Sequence, residues 1–143
     1  MTVARILADK GRNVTSIEPE ASLRDAADLM AGQGIGAVLV LDAARALMGI
    51  LSERDVVRAI SRRGPEVLRD EVRFHMTRDV TSCTTAAAVN ELMALMTASK
   101  FRHVPVVENG KVIGVISIGD VVKFRLAEIE SEHQALREYI ATA

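Results

Sequence analysis

Two stretches of the sequence place a hydroxyl and a carboxylate at the same spacing. Gly49 to Asp55 reads Gly-Ile-Leu-Ser-Glu-Arg-Asp, and Gly114 to Asp120 reads Gly-Val-Ile-Ser-Ile-Gly-Asp. We expect the glycine to let the chain turn into a short apolar strand, with the Ser at the point where a helix begins. The side chains, the free backbone N–H groups and the positive end of the helix dipole then face the same way. These two signatures predict a small anion-facing site that is built twice.

A purely structural explanation competes with this one. A Ser followed three residues later by an acidic residue at a helix start is a variant of the capping box. A cap, however, requires neither the preceding glycine nor the two valines that follow each Asp. The choice therefore depends on whether the rest of the sequence around the signatures is also repeated.

The signatures belong to an internal repeat of roughly 60 residues. They lie 65 residues apart, and the earlier parts of the repeat match at an offset of 66 residues. These matches pair residues 14–16 with 80–82, 23–30 with 89–96, and 36–42 with 102–108. Two such units, each with an exposed apolar face, are expected to pack on one another.

The predicted elements follow the order β-α-β-β-α in each copy. A helix over residues 2–10 comes first. In the first copy we predict strands over 14–17, 37–41 and 47–52 and helices from the Ser22 cap to the glycines at 32–36 and over 53–63. In the second copy we predict strands over 80–83, 104–107 and 112–117 and helices over 86–96 and 120–140. Asn109-Gly110 predicts a tight hairpin. Pro105 indicates a sheet edge or a point where a ligand replaces a neighbouring strand.

The predicted boundaries are 1–64 for the first repeat, 65–75 for a linker, 76–125 for the second repeat and 126–143 for a helical extension. The last helix is about 20 residues, or roughly 30 Å, long. A small domain has little room to cover such a helix. We therefore expect its distal half to contact a second copy in a homodimer; a solvated, frayed tail is the alternative.

Composition excludes several functional classes. The 143 residues carry a net charge of −1, with no Trp and one Tyr, so direct nucleic-acid binding lacks its usual basic and aromatic residues. Cys83 is the single cysteine, and it shares no metal-ligand spacing with the three histidines, so no metal site is expected. We find no signal-peptide pattern and no membrane-spanning run, and we expect a cytoplasmic protein without a membrane partner.

The repeat, the paired signatures and the stretch His103-Val104-Pro105-Val106-Val107 together resemble a tandem pair of CBS (cystathionine-β-synthase-type) domains, the Bateman module. The resemblance covers roughly residues 5–125 and extends to small stand-alone bacterial members of the family. It implies an α/β (α+β) fold in which two β-α-β-β-α repeats pack with pseudo-two-fold symmetry, followed by a long C-terminal helix. It also implies an energy-sensing regulatory module, not an enzyme, that acts on a separate and unknown partner protein.

The ligands implied by the resemblance are adenine nucleotides bound between the repeats: AMP, ADP or ATP, and in some members NAD(H) or S-adenosylmethionine. Asp55 and Asp120 would accept hydrogen bonds from the ribose hydroxyls. Ser52 and Ser117 would donate to phosphate at the helix N-termini. No other cofactor is implied.

Further contacts follow from the same resemblance. The residues expected to line the ribose and base are Ser16 and Ser82. The backbones expected to read the adenine edge are around Ala37-Val38 and His103-Val104, with apolar walls from Ile35, Phe101 and Pro105. The other expected nucleotide-binding residues are Gly36, Thr81 and Arg102, together with Lys10, Arg12 and Thr77. Lys10 and Arg12 have a structural alternative as solvated charges that complement a helix dipole, and His103 has one as a half-buried structural residue.

The two sites are not equivalent. Arg54 stands beside the Ser of the first signature, whereas Gly119 occupies that position in the second. Because arginine binds phosphate bidentately and glycine leaves room, we hypothesise that one site takes a mononucleotide and the other a larger ligand such as a dinucleotide.

Two other functional classes compete with this one. Ser52, Asp55 and His103 could be combined into a hydrolytic set, but neither signature Ser lies in a Gly-x-Ser-x-Gly elbow. A partner-binding scaffold whose nucleotide pockets have decayed would be expected to lose Asp55 or Asp120, and both are present. The sequence therefore favours the nucleotide sensor, with the scaffold as the alternative.

Overall fold

The computed structural model describes residues 1–99 and 101–142. Its elements are α1 (Val3–Lys10), β1 (Ser16–Ile17), α2 (Leu23–Gln33), β2 (Ala37–Leu41), β3 (Leu47–Ser52), α3 (Glu53–Arg63), two 3₁₀ turns (Pro65–Arg69 and Val72–Phe74), α4 (Val89–Ser99), β4 (His103–Glu108), β5 (Lys111–Ser117) and α5 (Ile118–Thr142). The predicted mixed α/β fold with a long C-terminal helix is confirmed.

The strands form one small sheet in each copy. In the first sheet β2 lies between β1, which is parallel to it, and β3, which is antiparallel. In the second sheet β4 pairs antiparallel with β5. Asn109 and Gly110 have φ angles of 51° and 75° between the paired residues Glu108 and Lys111, as a two-residue hairpin turn requires. The predicted hairpin is confirmed.

The strand predicted over residues 80–83 is wrong, and a proline explains why. Only Cys83 pairs with β4, through a single isolated parallel bridge. In the first copy the N–H of Leu39 donates to the carbonyl of Thr15 at 3.4 Å, next to β1. Pro105 is the counterpart of Leu39 and has no N–H to donate. The equivalent bond cannot form, although the carbonyl of Pro105 still accepts the N–H of Cys83 at 2.9 Å. Apart from this Cys83 bridge, that side of β4 is a sheet edge, which is one of the two predicted explanations of Pro105.

Each copy is completed by a segment from outside its own repeat. The apolar face of α1 (Val3, Ile6 and Leu7) is buried in the core of the second copy. Val67 and Val72, from the segment predicted to be a linker, are buried in the core of the first. Residues 65–75 therefore form part of a core rather than a spacer. We call α1 and residues 65–77 the crossing segments.

The crossing segments also explain a misplaced helix boundary. The second copy was predicted to have a helix from residue 86, but α4 begins at Val89. The backbone before it bonds the start of α1 instead: Val3 donates to Ala87 at 2.9 Å, and Ala4 donates to Thr85 at 3.0 Å. Because the carbonyls of Thr85 and Ala87 accept hydrogen bonds from α1, α4 starts about one turn later than predicted.

The two copies meet sheet against sheet. Leu39 and Leu41 of β2 and Val112 of β5 form a buried cluster between them. The N–H of Val112 also donates to the carbonyl of Arg45, in the turn between β2 and β3, at 3.0 Å. This shared cluster holds the two repeats in one body.

The signature glycines have a different role from the predicted one. Gly49 and Gly114 lie in the middle of β3 and β5, not at turns into them. A Cβ on Gly49 would lie 2.6 Å from the carbonyl oxygen of Thr77, and one on Gly114 would lie 2.6 Å from Cδ2 of Leu7. Both glycines therefore allow a crossing segment to approach the strand closely.

We predict that Gly49→Ala lowers the free energy of unfolding by about 1–3 kcal/mol, because backbone must move to admit the methyl group. Gly114→Ala should cost less, since the conflicting atom ends a side chain. Gly32→Ala is the control: it lies within α2 with open space around it, and it should stabilise the protein by up to about 1 kcal/mol. Urea unfolding measures all three. Equal effects of Gly49→Ala and Gly32→Ala would contradict the close-approach role.

Candidate functional site

Both signatures form reciprocal capping boxes. In the first, Asp55 N–H donates to Ser52 Oγ at 3.2 Å, and Ser52 N–H donates to Asp55 Oδ2 at 2.9 Å. In the second, the corresponding distances between Ser117 and Asp120 are 3.1 and 2.9 Å. The predicted structural role of these residues is therefore confirmed.

The boxes leave groups free for a ligand. Among the described residues, every hydrogen bond to the signature carboxylates uses Oδ2, so Oδ1 of Asp55 and of Asp120 remains able to accept. The Ser hydroxyl oxygens accept a backbone N–H, which leaves their hydrogens to donate elsewhere. Capping and ligand binding are thus compatible at both sites.

The Ser-x-x-Asp pattern also occurs at the start of α2. There Asp25 N–H donates to Ser22 Oγ at 3.0 Å, without the glycine and strand of a signature. The pattern alone therefore makes a cap, and the surrounding elements must supply the remainder of any site.

Lys10 distinguishes the second signature from the first. Its ammonium donates to Asp120 Oδ2 at 2.5 Å and to the carbonyl of Val115 at 2.6 Å. The counterpart of Val115 in the first copy is Ile50, whose carbonyl accepts the backbone N–H of Thr77 at 2.9 Å. The strand carbonyl thus accepts from a side-chain ammonium in the second copy and from a backbone N–H in the first.

This arrangement shifts two ionisation equilibria. Burial opposes ionisation of Asp120, but hydrogen bonds from Lys10 and Ser117 outweigh it and hold the pKa of Asp120 below its ordinary value. Burial and the Lys10 charge lower the pKa of His103, although Asp120 acts in the opposite direction. His103 is therefore mostly neutral at pH 7 and able to accept or donate one hydrogen bond at each ring nitrogen.

A cleft of about 200 Å³ lies between the two repeats. It brings together part of the predicted site from both copies. The predicted residues in its lining are Lys10, Ile35, Gly36, Ala37, Val38 and His103. The cleft thus joins the start of β2 in one copy to the start of β4 in the other, beside the Lys10–Asp120 pair.

Five lining residues were missed by the sequence reasoning: Asn13, Thr15, Leu39, Ile50 and Val115. The repeat carried a signal for one of them, because Thr15 is the counterpart of Thr81, which was predicted. Ile50 and Val115 stand at matching positions inside the two signatures, where only the fold shows that they face the cleft.

The remaining predicted residues lie outside the described lining of this cleft. Val104 and Pro105 are buried in β4, so Val104 could meet a ligand only through its backbone. The N–H of Ile118 donates to the carbonyl of Arg102 at 2.8 Å. The full set outside the cleft is Arg12, Ser16, Ser52, Arg54, Asp55, Thr77, Thr81, Ser82, Phe101, Arg102, Val104, Pro105, Ser117, Gly119 and Asp120.

Each signature Asp instead faces a groove between its helix and a crossing segment. The Asp120 groove holds Lys10 and Lys123 and has a volume of about 410 Å³. The Asp55 groove is about 270 Å³ and holds three arginines and a histidine: Arg58, Arg62, Arg63 and His75. Both grooves therefore combine a signature carboxylate with cations. In the Asp55 groove, Arg62 and Arg63 belong to the last turn of α3, and Arg63 pairs with Asp70 at 2.9 Å. The Asp120 groove also holds a second carboxylate, Asp9, so the Asp55 side carries more positive charge.

Burial raises the pKa of Cys83 to about 11, so its thiol is protonated and weakly reactive at neutral pH. Across residues 1–99 and 101–142, every helix is too short or too polar to span a bilayer.

Comparison with known proteins now decides the family. The CBS domain family matches two segments, residues 5–62 and 69–127, which include most of the chain. The chain belongs to the CBS domain family. The predicted tandem CBS pair is confirmed, and CBS pairs as a class are regulatory modules that bind adenine nucleotides.

Solved and curated relatives agree with this assignment. The CBS-domain containing protein ATU1752 from Agrobacterium tumefaciens is 43% identical, with a TM-score of 0.79 over 87% of this chain and 99% of that one. An uncharacterised 17.7 kDa protein of Acidianus ambivalens is 32% identical over 108 residues. The matched region covers 75% of this chain and 64% of the length of that protein. CBSX2, solved in complex with AMP, is 24% identical over 82% of this chain and 90% of CBSX2, with a TM-score of 0.73.

We predict that Lys10 and Asp120 are energetically coupled. A double-mutant cycle of Lys10→Met and Asp120→Asn should give about 0.5–1 kcal/mol at neutral pH, because the pair is only partly buried. The folded-state pKa of Asp120 is depressed, so the coupling is complete above its unfolded-state value. It is lost as the pH falls through the folded-state pKa, which lies below 3.8.

The control cycle combines Lys10→Met with Asp55→Asn, whose effects on urea unfolding should add within about 0.5 kcal/mol. Coupling that persists unchanged into strong acid would show that the interaction is not the ion pair described.

Proposed function

We propose that this CBS pair binds adenine nucleotides and regulates a separate partner protein through ligand-dependent packing of a homodimer. One observation carries the proposal. At each signature, a carboxylate with a free oxygen lies in the first turn of a helix and lines a groove with cationic side chains, and the Asp120 groove shares Lys10 with the cleft between the repeats. This combination suits a ligand with an apolar ring, a diol and a phosphate. The AMP bound by CBSX2 is such a ligand.

The cleft has the character of a base-binding site. Its apolar lining includes Ile35, Val38 and Leu39. Gly36 is exposed and offers its N–H at one edge, while its carbonyl accepts the N–H of Glu53 at 2.9 Å. Its volume of about 200 Å³ is below the roughly 300–1,000 Å³ typical of whole-ligand pockets. We therefore assign the adenine ring to the cleft and the sugar and phosphate to the signature grooves, of which the Asp120 groove shares Lys10 with the cleft.

The Asp residues supply the contact for the ribose. Oδ1 of Asp55 or Asp120 can accept from a hydroxyl while Oδ2 keeps the cap intact. On the Asp120 side, Lys10 is already in place between cleft and groove. A phosphate bound beside Lys10 would attract the Lys10 ammonium. Lys10 would then have both roles, the observed ion pair with Asp120 and the predicted contact with phosphate.

The two sites should differ in preference. The Asp55 groove carries three arginines, whereas the Asp120 groove carries two lysines. The sites also differ two positions after each signature Ser, where the first has Arg54 and the second has Gly119. We infer that one site takes a mononucleotide and the other a larger ligand such as NAD(H). Equal affinity of both sites for AMP, together with no NAD(H) binding, would contradict this.

The output follows from the shared body of the two repeats. A ligand that contacts β2 of one copy and Lys10 beside the other bridges elements on both sides of the cleft. It shifts the packing of the module only by the difference in its affinity for two arrangements. The regulated protein would read that shift on the surface of the dimer.

A second candidate function is supported by the capping boxes. Because Asp55 and Asp120 both cap helices, their presence is explained without any ligand. The sequence argument against a partner-binding scaffold therefore weakens, and the scaffold must be tested directly.

We predict that an adenine nucleotide at about 100 times its dissociation constant adds roughly 2.7 kcal/mol to the unfolding free energy, a rise in Tm of roughly 5 to 10 °C. The ligands to screen are AMP, ADP, ATP, NAD, NADH and S-adenosylmethionine. Asp55→Asn or Asp120→Asn should abolish the shift of the nucleotide bound at that side.

Asp25→Asn is the matched control, because Asp25 stands at the same position of a Ser-capped helix outside the signatures. It should leave every ligand shift unchanged. A protein that folds and shows no shift with any of the six ligands supports the scaffold instead.

We further predict that Lys10→Met weakens nucleotide binding in proportion to phosphate charge. In isothermal titration, the loss in affinity should be small for adenosine and at least tenfold for ATP at the Asp120 side, since only the phosphate needs the cation. An equal loss for both ligands would place Lys10 at the base or ribose.

A further inference from the structure

One face of α5 carries an uncovered apolar seam. From Val122 onward, its positions are spaced alternately by four and three residues, which is the a/d pattern of a coiled coil. The α5 seam consists of Val122, Leu126, Ile129, His133, Leu136 and Ile140. Its five aliphatic members are 46–66% exposed. A regular seam of this kind is complete only when a second helix covers it.

The body of the protein packs on the opposite face of the helix. Phe124 packs against the core of the second copy. Ala127, Glu128, Ser131 and Glu132 line the groove that α1 borders. In the heptad set by the seam, four of these five residues occupy positions b, c and f, which face away from a and d, and Glu132 occupies a flanking g position. The seam is therefore directed outward, where a second molecule can reach it.

The charges beside the seam select the partner and its direction. Arg125 and Glu132 occupy g positions, and Glu130 and Arg137 occupy e positions. In a parallel, in-register pair of α5 helices, each g residue faces the e residue five positions later on the other copy. Arg125 then meets Glu130, and Glu132 meets Arg137, so every such pair is attractive.

The antiparallel arrangement with the same overlap is disfavoured. It would bring Glu130 against Glu130, Glu132 against Glu132 and Lys123 against Arg137 of the second copy. Like charges at these positions repel. Within one chain Arg125 pairs with Glu128 at 3.3 Å, but this partly exposed pair is weak and free to exchange partners.

We propose that the α5 seam binds the α5 seam of a second copy in a parallel, in-register coiled coil about 27 Å long. This inference rests on the homodimer of the proposed function and specifies its interface. His133 is the one polar member of the seam, at an a position. A polar a residue lowers stability but fixes register, because only in-register pairing places both His133 side chains in the same layer.

Sedimentation equilibrium of the full chain tests the interface with matched substitutions. Leu136→Asp should raise the dimer dissociation constant at least tenfold, whereas Ala135→Asp, one position away on the outer face, should leave it unchanged. His133→Ile should tighten the dimer at least tenfold, and Gln134→Ile should not. Equal effects within either pair would overturn the proposal.

Charge exchange tests the direction. Glu132→Arg and Arg137→Glu should each weaken the dimer several-fold, and the double variant should restore it. Residues five positions apart do not pair along one helix, so rescue must act between molecules. Lack of rescue would overturn the parallel register.

The remaining outcomes separate this inference from the proposed function. A dimer that none of these variants changes uses another face, which overturns the seam but leaves ligand-dependent dimer packing. A monomer overturns the seam and the dimer alike. Nucleotide titration of Leu136→Asp is the independent measurement: unchanged affinity shows that ligand binding holds whichever dimer result is obtained.

Discussion

The close approach of the crossing segments to two strands is the constraint on which the rest of the structure depends. Gly49 and Gly114 admit backbone or a buried Leu side chain where any Cβ would collide. That approach completes both cores, and it sets the position of Lys10 beside Asp120. The grooves at the signature Asp residues are bounded on one side by the same segments. A change in the seating of either segment therefore alters core and site together.

Local pattern was sufficient to predict most elements, because their signals lie within the elements themselves. The continuous apolar run at 37–41 gave β2 with its observed bounds, and Asn109-Gly110 gave the hairpin. Errors arose where a distant residue decides. The second copy lacks its first strand because Pro105 cannot donate, and α4 starts late because α1 occupies the preceding backbone. Neither Pro105 nor α1 lies within the segment whose structure it changes, so the local sequence of that segment does not reveal the change.

The candidate site shows the same division. The repeat located Ser52, Asp55, Ser117 and Asp120, and the structure adds that all four are engaged in caps. Which residues share a cleft depends on how the repeats face each other, so Ile50 and Val115 were not predicted. Lys10 was expected either in solvent or on a phosphate. Its ion pair with Asp120 depends on α1 packing on the copy that is distant in sequence.

The exchange of segments between the copies has a consequence for the order of folding during synthesis. Lys10 and its acceptor Val115 are 105 residues apart. At about 5–20 residues per second, α1 leaves the ribosome roughly 5–20 s before the strand that it covers. When that strand emerges, the first copy and its crossing segment, residues 65–77, have already been synthesised in full. The chain's first helix thus waits for elements made much later, and its apolar face is fully covered only when β5 and the start of α5 have emerged.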